Sequence, residues 1–484
     1  MSTSRKTRRE FLTHTGYGLG ALSLTGAFSG GSLAHAEAAA AIDDPLAPKA
    51  PHFPAKAKSV IWLHMAGAPS TLDLFDYKPE LIRLHGQPLP ESFRKNLKTA
   101  TDGGVGGLYA TKRTWKQYGE TGAWVSDWLP NLATQVDNIA FLKGCKTEGS
   151  THVISSLKLH TSGLVPGRPA LGSWVTYGLG SANPDLPTFV VLPTGTGAAG
   201  GGRGSTIWSS GFLPATYAGT AFRPGDSPML YIDRPSVDSA AEQRGTLDLL
   251  KRLNEHETAV LHPGDTELEA RSRSYELAYR MQKTAPEAVD LSKETAATKE
   301  LYGIVDGATS ATREYATALL RARRLVERNV RFIHVISGAP DNSIDSWDAH
   351  HEIEKNHSVM CRQVDKPIAG LLADLKSRGL LDTTLVVWAA EFGRTPYGQT
   401  GDGRDHNPWG FTSWVAGGGI KPGTYGATDE IGLRAVSGTV DTYDLQATLL
   451  HQLGLDHRKL TYLYQGRSER ATTVYGEVVK EIIT

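Results

Sequence analysis

Val330-Arg-Phe-Ile-His-Val-Ile336 and Thr384-Leu-Val-Val-Trp-Ala389 are short apolar runs, and each follows a segment written in helical period. Within 311–328, Tyr315, Ala318, Leu319, Ala322 and Val326 fall on one face. In the second segment Val359, Val364, Ile368, Leu371, Leu372 and Leu375 do the same, and Gly379 ends it. A strand buried on both faces reads as a continuous apolar run, whereas a helix repeats its apolar face with the helical turn. Two helix-to-strand units in succession therefore predict parallel strands joined by crossover helices. Working outward, Ser59-Val-Ile-Trp-Leu63, Ile139-Ala-Phe-Leu142 and Thr188-Phe-Val-Val-Leu192 are further candidate buried strands. The alternation predicts an α/β fold with a mostly parallel central sheet and helices on both faces. Residues 235–300 depart from it, being polar, charged and helical in period without strands, and read as an inserted helical cap. No fixed-period repeat and no Pro- or Ser-rich linker divides the chain, so residues 37–484 are expected to form one large domain.

The first 36 residues read differently. Thr7-Arg8-Arg9-Glu10-Phe11-Leu12 follows a basic lead and precedes a weakly apolar, glycine-interrupted run from Gly16 to Ala27. Ala34-His35-Ala36 then offers the small residues a signal peptidase requires, and Glu37 would begin the mature chain. This order of parts predicts a twin-arginine signal peptide over 1–36, the twin-arginine translocase as export partner, and a periplasmic or extracellular destination. The apolar run is too short and too polar to cross a bilayer of about 30 Å, so no stable membrane anchor is expected. Removing residues 1–36 leaves 47 basic against 50 acidic side chains, a formal charge of −3. With no basic patch and no zinc-finger spacing, a nucleic-acid role is not expected. Two cysteines, Cys145 and Cys361, exclude a disulfide-dense scaffold; they pair with each other or are small buried apolar residues.

In an open α/β sheet, chemistry belongs in loops at the carboxyl ends of strands. After 330–336 come Asp345, Asp348, His350, His351 and then His357. After 384–389 come Glu391, Phe392 and Arg394, followed by Gly403-Arg-Asp-His-Asn407. Carboxylates mixed with imidazoles suit zinc, manganese or iron, whereas calcium rarely recruits three histidines. Asp348, His350, Glu391 and His406 are accordingly the expected core of a transition-metal site. Gly195-Thr-Gly197-Ala-Ala-Gly200 matches a dinucleotide-binding fingerprint, but glycines continue to Gly204 and no helix start follows to receive a pyrophosphate. It reads as a loop.

Several stretches together resemble a known family: Gly67-Ala-Pro-Ser-Thr-Leu-Asp-Leu-Phe-Asp-Tyr-Lys-Pro79, Pro166-Gly-Arg-Pro169 with Gly172-Ser-Trp-Val-Thr-Tyr-Gly178, Trp347-Asp-Ala-His350, Glu391-Phe-Gly-Arg-Thr-Pro396, Gly403-Arg-Asp-His-Asn-Pro408, Tyr443-Asp-Leu-Gln-Ala-Thr-Leu-Leu450 and Leu453-Gly-Leu-Asp456. They look like the domain of unknown function 1501 family, many of whose members are labelled sulfatases. The resemblance runs from about residue 50 to the C-terminus. It implies an alkaline-phosphatase-like α/β/α sandwich and, in active members of that superfamily, a bimetal centre that cleaves phosphate or sulfate esters.

Carried across residue by residue, the resemblance implies metal ligands at Asp348 with His350 or His357, at Glu391 and at His406, with Asp405 beside it. Phe392 stands where the superfamily usually has a second histidine. The first acid of the pattern implies Asp73 or Asp76, either of which is equally read as a structural residue: Asp73 capping a turn, Asp76 paired with Lys78. The nucleophile position falls in Lys146-Thr-Glu-Gly-Ser150-Thr151-His152, where Thr151 is the candidate, although Ser150 and Thr151 are also ordinary helix caps. The sulfatase signature Cys-x-Pro-x-Arg is absent, since Cys145 precedes Lys146-Thr147-Glu148-Gly149. The expected chemistry is hydrolysis of a small-molecule or polysaccharide ester with one or two divalent transition metals, zinc or manganese first. His152 is expected to move a proton and Arg394 to bind an ester oxygen. The competing expectation is an inactive binding or structural protein of the cell envelope that keeps the fold.

Overall fold

A computed structural model describes residues 44–94, 97, 105–196, 204–225, 228–229, 232, 239–260, 266–341, 343–398 and 401–484. The expected signal peptide, 1–36, lies outside the described residues. Pro45–Thr484 is one compact unit.

Its centre is a nine-stranded sheet. In chain order the strands are β1 (Ser59–Met65), β2 (Ile139–Lys146), β3 (Phe189–Thr194), β4 (Thr220–Ala221), β5 (Phe332–Ser337), β6 (Thr384–Ala389), β7 (Phe411–Ala416), β8 (Gly423–Tyr425) and β9 (Val440–Asp441). Across the sheet the order is β8-β2-β7-β6-β1-β5-β3-β4, with β9 also on β2. β1 lies in the middle, parallel to both β5 and β6, and every one of its residues is buried. Both faces of β1 are closed. Trp62 and His64 point to one side, Ile61 and Leu63 to the other, and all four are at most 1% exposed.

The five strands expected from sequence are present. β7 adds what the alternation did not reveal: it runs antiparallel between β2 and β6. Because it runs backwards, its leading loop arrives at the same sheet edge where β1, β2, β5 and β6 end. The stretch 403–407 thereby reaches the loops that follow those four strands. The mixed α/β fold with a mostly parallel sheet is thus observed, one central strand being reversed.

The helices that position this edge are α1 (His152–Thr161), which follows β2, α2 (Ser310–Glu327), which packs on β3 and β5, and α3 (Ile353–Ser377), which packs on α2. Tyr315, Leu319, Ala322 and Leu325 of α2 are fully buried, as the helical period requires. Within 235–300 the described residues form helices Ala240–Val260 and Thr266–Val289, joined by an Arg244–Glu276 ion pair of 2.5 Å, and Ala296–Leu301. Among the described residues no helix is long and apolar enough to cross a membrane. Cys145 and Cys361 are buried free thiols, and burial pushes Cys145 up to about 12. Gly195 stands at φ +70° with its N–H donated to Glu314, and the next described element, Gly204–Trp208, is a 3-10 helix, so among the described residues no α-helix start follows the glycines.

Candidate metal centre

The site begins at a buried carboxylate. Glu391, just past β6, is 1% exposed, and its Oε1 accepts from the Gly67 backbone N–H at 3.0 Å and from His152 Nδ1 at 2.7 Å. Its Oε2 accepts from His64 Nε2 at 3.3 Å. Burial alone would push Glu391 up, but the bonds from His152 and His64 hold it well below the usual carboxylate range. A carboxylate can only accept, so these contacts fix which nitrogen of each ring carries hydrogen.

His152 opens α1 and faces the mouth. With Nδ1 on Glu391, its Nε2 lies 3.0 Å from Asp348 Oδ2. Burial lowers its pKa, yet the two carboxylates raise it more, and the net shift is upward. Asp348 is the hub of the outer cluster. Its Oδ1 meets Arg394 Nη2 at 2.6 Å, His350 Nε2 at 3.0 Å and His406 Nε2 at 3.4 Å. Although burial raises it, the Arg394 charge and the hydrogen bonds from His152 and His350 hold its carboxyl far below the usual range.

His406 Nδ1 donates to the Ser150 carbonyl at 2.7 Å, which leaves the Nε2 lone pair aimed at the cluster. That nitrogen is 3.0 Å from His350 Nε2. Two donors each about 2.1 Å from a tetrahedral ion stand about 3.4 Å apart, so Asp348 Oδ1, His350 Nε2 and His406 Nε2 already hold close to the spacing of ligands to one ion. One carboxylate and two imidazoles fit a borderline transition metal. Two overlapping donor groups share His406: one with His152 and Asp348, the other with His350 and Asp405. Gly403 makes the approach possible, since a Cβ there would fall 2.0 Å from the His350 carbonyl oxygen.

The family model described as "Protein of unknown function (DUF1501)" matches residues 57–483. The chain belongs to the DUF1501 family. No curated protein matches it. Among solved structures it is similar to the lipoteichoic acid synthase LtaP from Listeria monocytogenes, with 9% identity, 85% of this chain and 77% of that chain covered, and a TM-score of 0.39. It is also similar to the PsFucS1 sulfatase from Pseudoalteromonas sp., with 12% identity, coverage of 86% and 72%, and a TM-score of 0.36. A third similarity is to alkaline phosphatase from the Antarctic bacterium TAB5, with 12% identity, coverage of 82% and 98%, and a TM-score of 0.31.

In this DUF1501 chain the structure brings together Asp348, His350, Glu391, Asp405, His406 and His152, and it leaves two expected ligands outside. Asp73, in the turn Thr71–Asp73, is 2% exposed and spends both oxygens on Arg404, at 2.7 and 2.9 Å, with Thr111 Oγ1 on Oδ1 at 2.7 Å. It caps no turn and reaches no imidazole of the cluster; it anchors the loop that carries Asp405 and His406. His357, in α3, accepts the Ser70 N–H on Nε2 at 2.8 Å and shares Nδ1 with Asn356 Oδ1 at 3.1 Å. Packed near Trp128 and Trp347 and pushed down to about 3 by burial, it is a neutral core histidine with no lone pair to give. Asp76 pairs with Lys78 at 3.3 Å.

Arg394 is 1% exposed, donates Nε to Ala68 O at 2.8 Å, Nη1 to Arg404 O at 3.4 Å, and Nη2 to both Gly67 O and Asp348. A guanidinium so engaged positions Asp348 and the turn after β1, with one of its five N–H donors left outside these bonds. Thr151 is the N-cap residue of α1, exposed, and its side chain makes no capping hydrogen bond. Sequence reasoning missed His64 as the partner of Glu391. The signal was available: a histidine inside an otherwise apolar strand needs a buried partner.

Proposed function

We propose that this chain is an exported metal-dependent hydrolase of phosphate or sulfate esters, acting on a small-molecule or polysaccharide ester. The observation that carries the reading is the convergence of Asp348, His350 and His406, with ligand atoms 3.0 to 3.4 Å apart, at the carboxyl edge of a mostly parallel sheet. One or two divalent transition-metal ions, zinc or manganese by donor type, supply Lewis acidity toward an ester oxygen when held there. Asp348 provides the anionic ligand, and Arg394 holds its orientation. His152, raised in basicity by Glu391 and Asp348, is placed to give a proton to a leaving oxygen or take one from an attacking hydroxyl. Thr151, exposed beside it at the start of α1, is the candidate nucleophile, and the amino end of that helix favours an anionic ester. The second reading, a cell-envelope protein that binds without turnover, is favoured by one observation: four of the five N–H donors of Arg394 are already committed to carbonyls and Asp348.

An activity screen of zinc- and manganese-loaded protein on aryl phosphates, phosphodiesters and aryl sulfates separates the two. Turnover of at least one class is expected, falling by about 100-fold or more in both Glu391→Gln and His406→Ala, the upper range for losing a residue that supports a metal ligand. Turnover unchanged in both variants removes the site, and no turnover on any class leaves the binding reading. Export is tested by Arg8→Lys with Arg9→Lys, which should leave folded precursor in the cytoplasm. Efficient export of that variant would contradict it.

A further inference from the structure

Beneath Glu391 lies a second cluster that the hydrolase reading does not use. His64 on β1 and His334 on β5 share one face of the sheet, because Trp62 is the register partner of His334 and His64 lies two residues further along. His160, near the end of α1, packs on the same face, with ring centroids 4.5 Å from both His64 and His334. The three are 0%, 5% and 1% exposed. One ring nitrogen from each lies within 4.8 Å of the others. We propose that His64, His160 and His334 form a buried metal site for a transition-metal ion with imidazole preference, zinc first, separate from the outer cluster of Asp348, His350 and His406.

The tautomers carry the inference. His64 gives its Nε2 hydrogen to Glu391, so Nδ1 is the lone-pair nitrogen, and that atom is buried with no hydrogen-bond partner among the described residues. His334 Nε2 is likewise buried with no partner among them. A buried imidazole lone pair without a donor, in a ring packed against two further imidazoles, is costly unless a cation takes it. A histidine that donates one nitrogen to a carboxylate and offers the other inward is the arrangement by which proteins orient and strengthen metal-binding imidazoles. Glu391 also supplies the negative charge that an ion among three neutral ligands requires. The rings need to close by at most about 1.4 Å to reach the spacing of donors around a tetrahedral ion. The ion would tie β1 and β5 to α1, whose first residue is His152, and so hold the proton-transfer group in register with the sheet. With no ligand more than 5% exposed, it enters before the fold closes and leaves only when the fold opens.

The test needs no activity and does not depend on the hydrolase reading. His350→Ala with His406→Ala, which removes the outer ligands, is expressed in zinc-supplemented medium, dialysed against EDTA while folded, and its metal measured by plasma mass spectrometry. About one zinc per chain is expected to survive dialysis and to be released by guanidinium, as a metal coupled to the folded state behaves. X-ray absorption should then show nitrogen-only ligation with scattering from three imidazoles, and adding His334→Gln should remove the ion. If the double variant does not fold, the wild-type chain serves, since EDTA reaches the partly exposed outer cluster, where Asp348 and His350 are each 26% exposed, and leaves the buried ion. A folded protein with no metal after dialysis, or a full equivalent retained in His334→Gln, overturns the proposal.

Discussion

Asp348→Ala is expected to lower zinc affinity at the outer cluster by more than 100-fold, since losing even a group that supports a ligand costs about 10- to 100-fold, and to abolish any turnover. Among the described residues Asp348 is the one carboxylate that touches His152, His350, His406 and Arg394 together, with Oδ2 on the first and Oδ1 on the others. Removing it takes away the anionic ligand and leaves the positive charge of Arg394 facing the imidazoles, which repels a cation. Folding should suffer less than in a fully buried pair, because the Asp348 side chain is 26% exposed and Arg394 keeps its bonds to Gly67 and Ala68. Competition titration against a chromophoric chelator measures the affinity. An affinity within a few-fold of wild type would mean that the ion, if any, sits elsewhere.

The second large effect lies away from the ligands. Asp73→Ala is expected to destabilise the fold by about 3–5 kcal/mol, because it strands a fully buried guanidinium, Arg404, without its counter-charge. Arg404→Met added to Asp73→Ala should recover much of that loss, since an apolar pair of similar volume is tolerated where a broken ion pair is not. The same pair sets an acid limit. Burial raises the Asp73 carboxyl, but the Arg404 charge and hydrogen bonds lower it more, so its folded value lies below the unfolded one. A depressed carboxylate contributes its stability above the unfolded value of about 3.9 and loses it as pH falls through the folded one. Melting temperature should therefore drop below about pH 4 in wild type and less steeply in Asp73→Ala. Equal melting temperatures of the two proteins at neutral pH would contradict the assignment.

Most of the sheet was legible because its parallel strands are buried on both faces and therefore read as unbroken apolar runs. Phe411–Ala416 escaped because Thr412 and Ser413 interrupt its apolar character and glycines crowd both ends, at Gly410 and at Gly417-Gly-Gly419. Its reversed direction could not be inferred from alternation, and that direction is what delivers His406 to the site. Asp348, His350, Glu391 and His406 were visible as a cluster because each follows a strand end or the loop between two strands. Asp73 and His357 entered as candidate ligands through the family resemblance, Asp73 with a structural role read as equally open. Their partners are remote in sequence, 331 positions away for Arg404 and 287 for the Ser70 N–H, and only the fold reveals that their lone pairs are already taken. The carbonyl partners of Arg394 at Gly67 and Ala68 were hidden for the same reason, being set by the turn after β1.

The most direct measurement of the central claim is an anomalous difference map, recorded at the zinc edge, from crystals of the zinc-loaded chain. A peak is expected about 2.0–2.2 Å from Asp348 Oδ1, His350 Nε2 and His406 Nε2, the bond lengths of zinc to oxygen and nitrogen. A map with zinc elsewhere and nothing among those three atoms would contradict it.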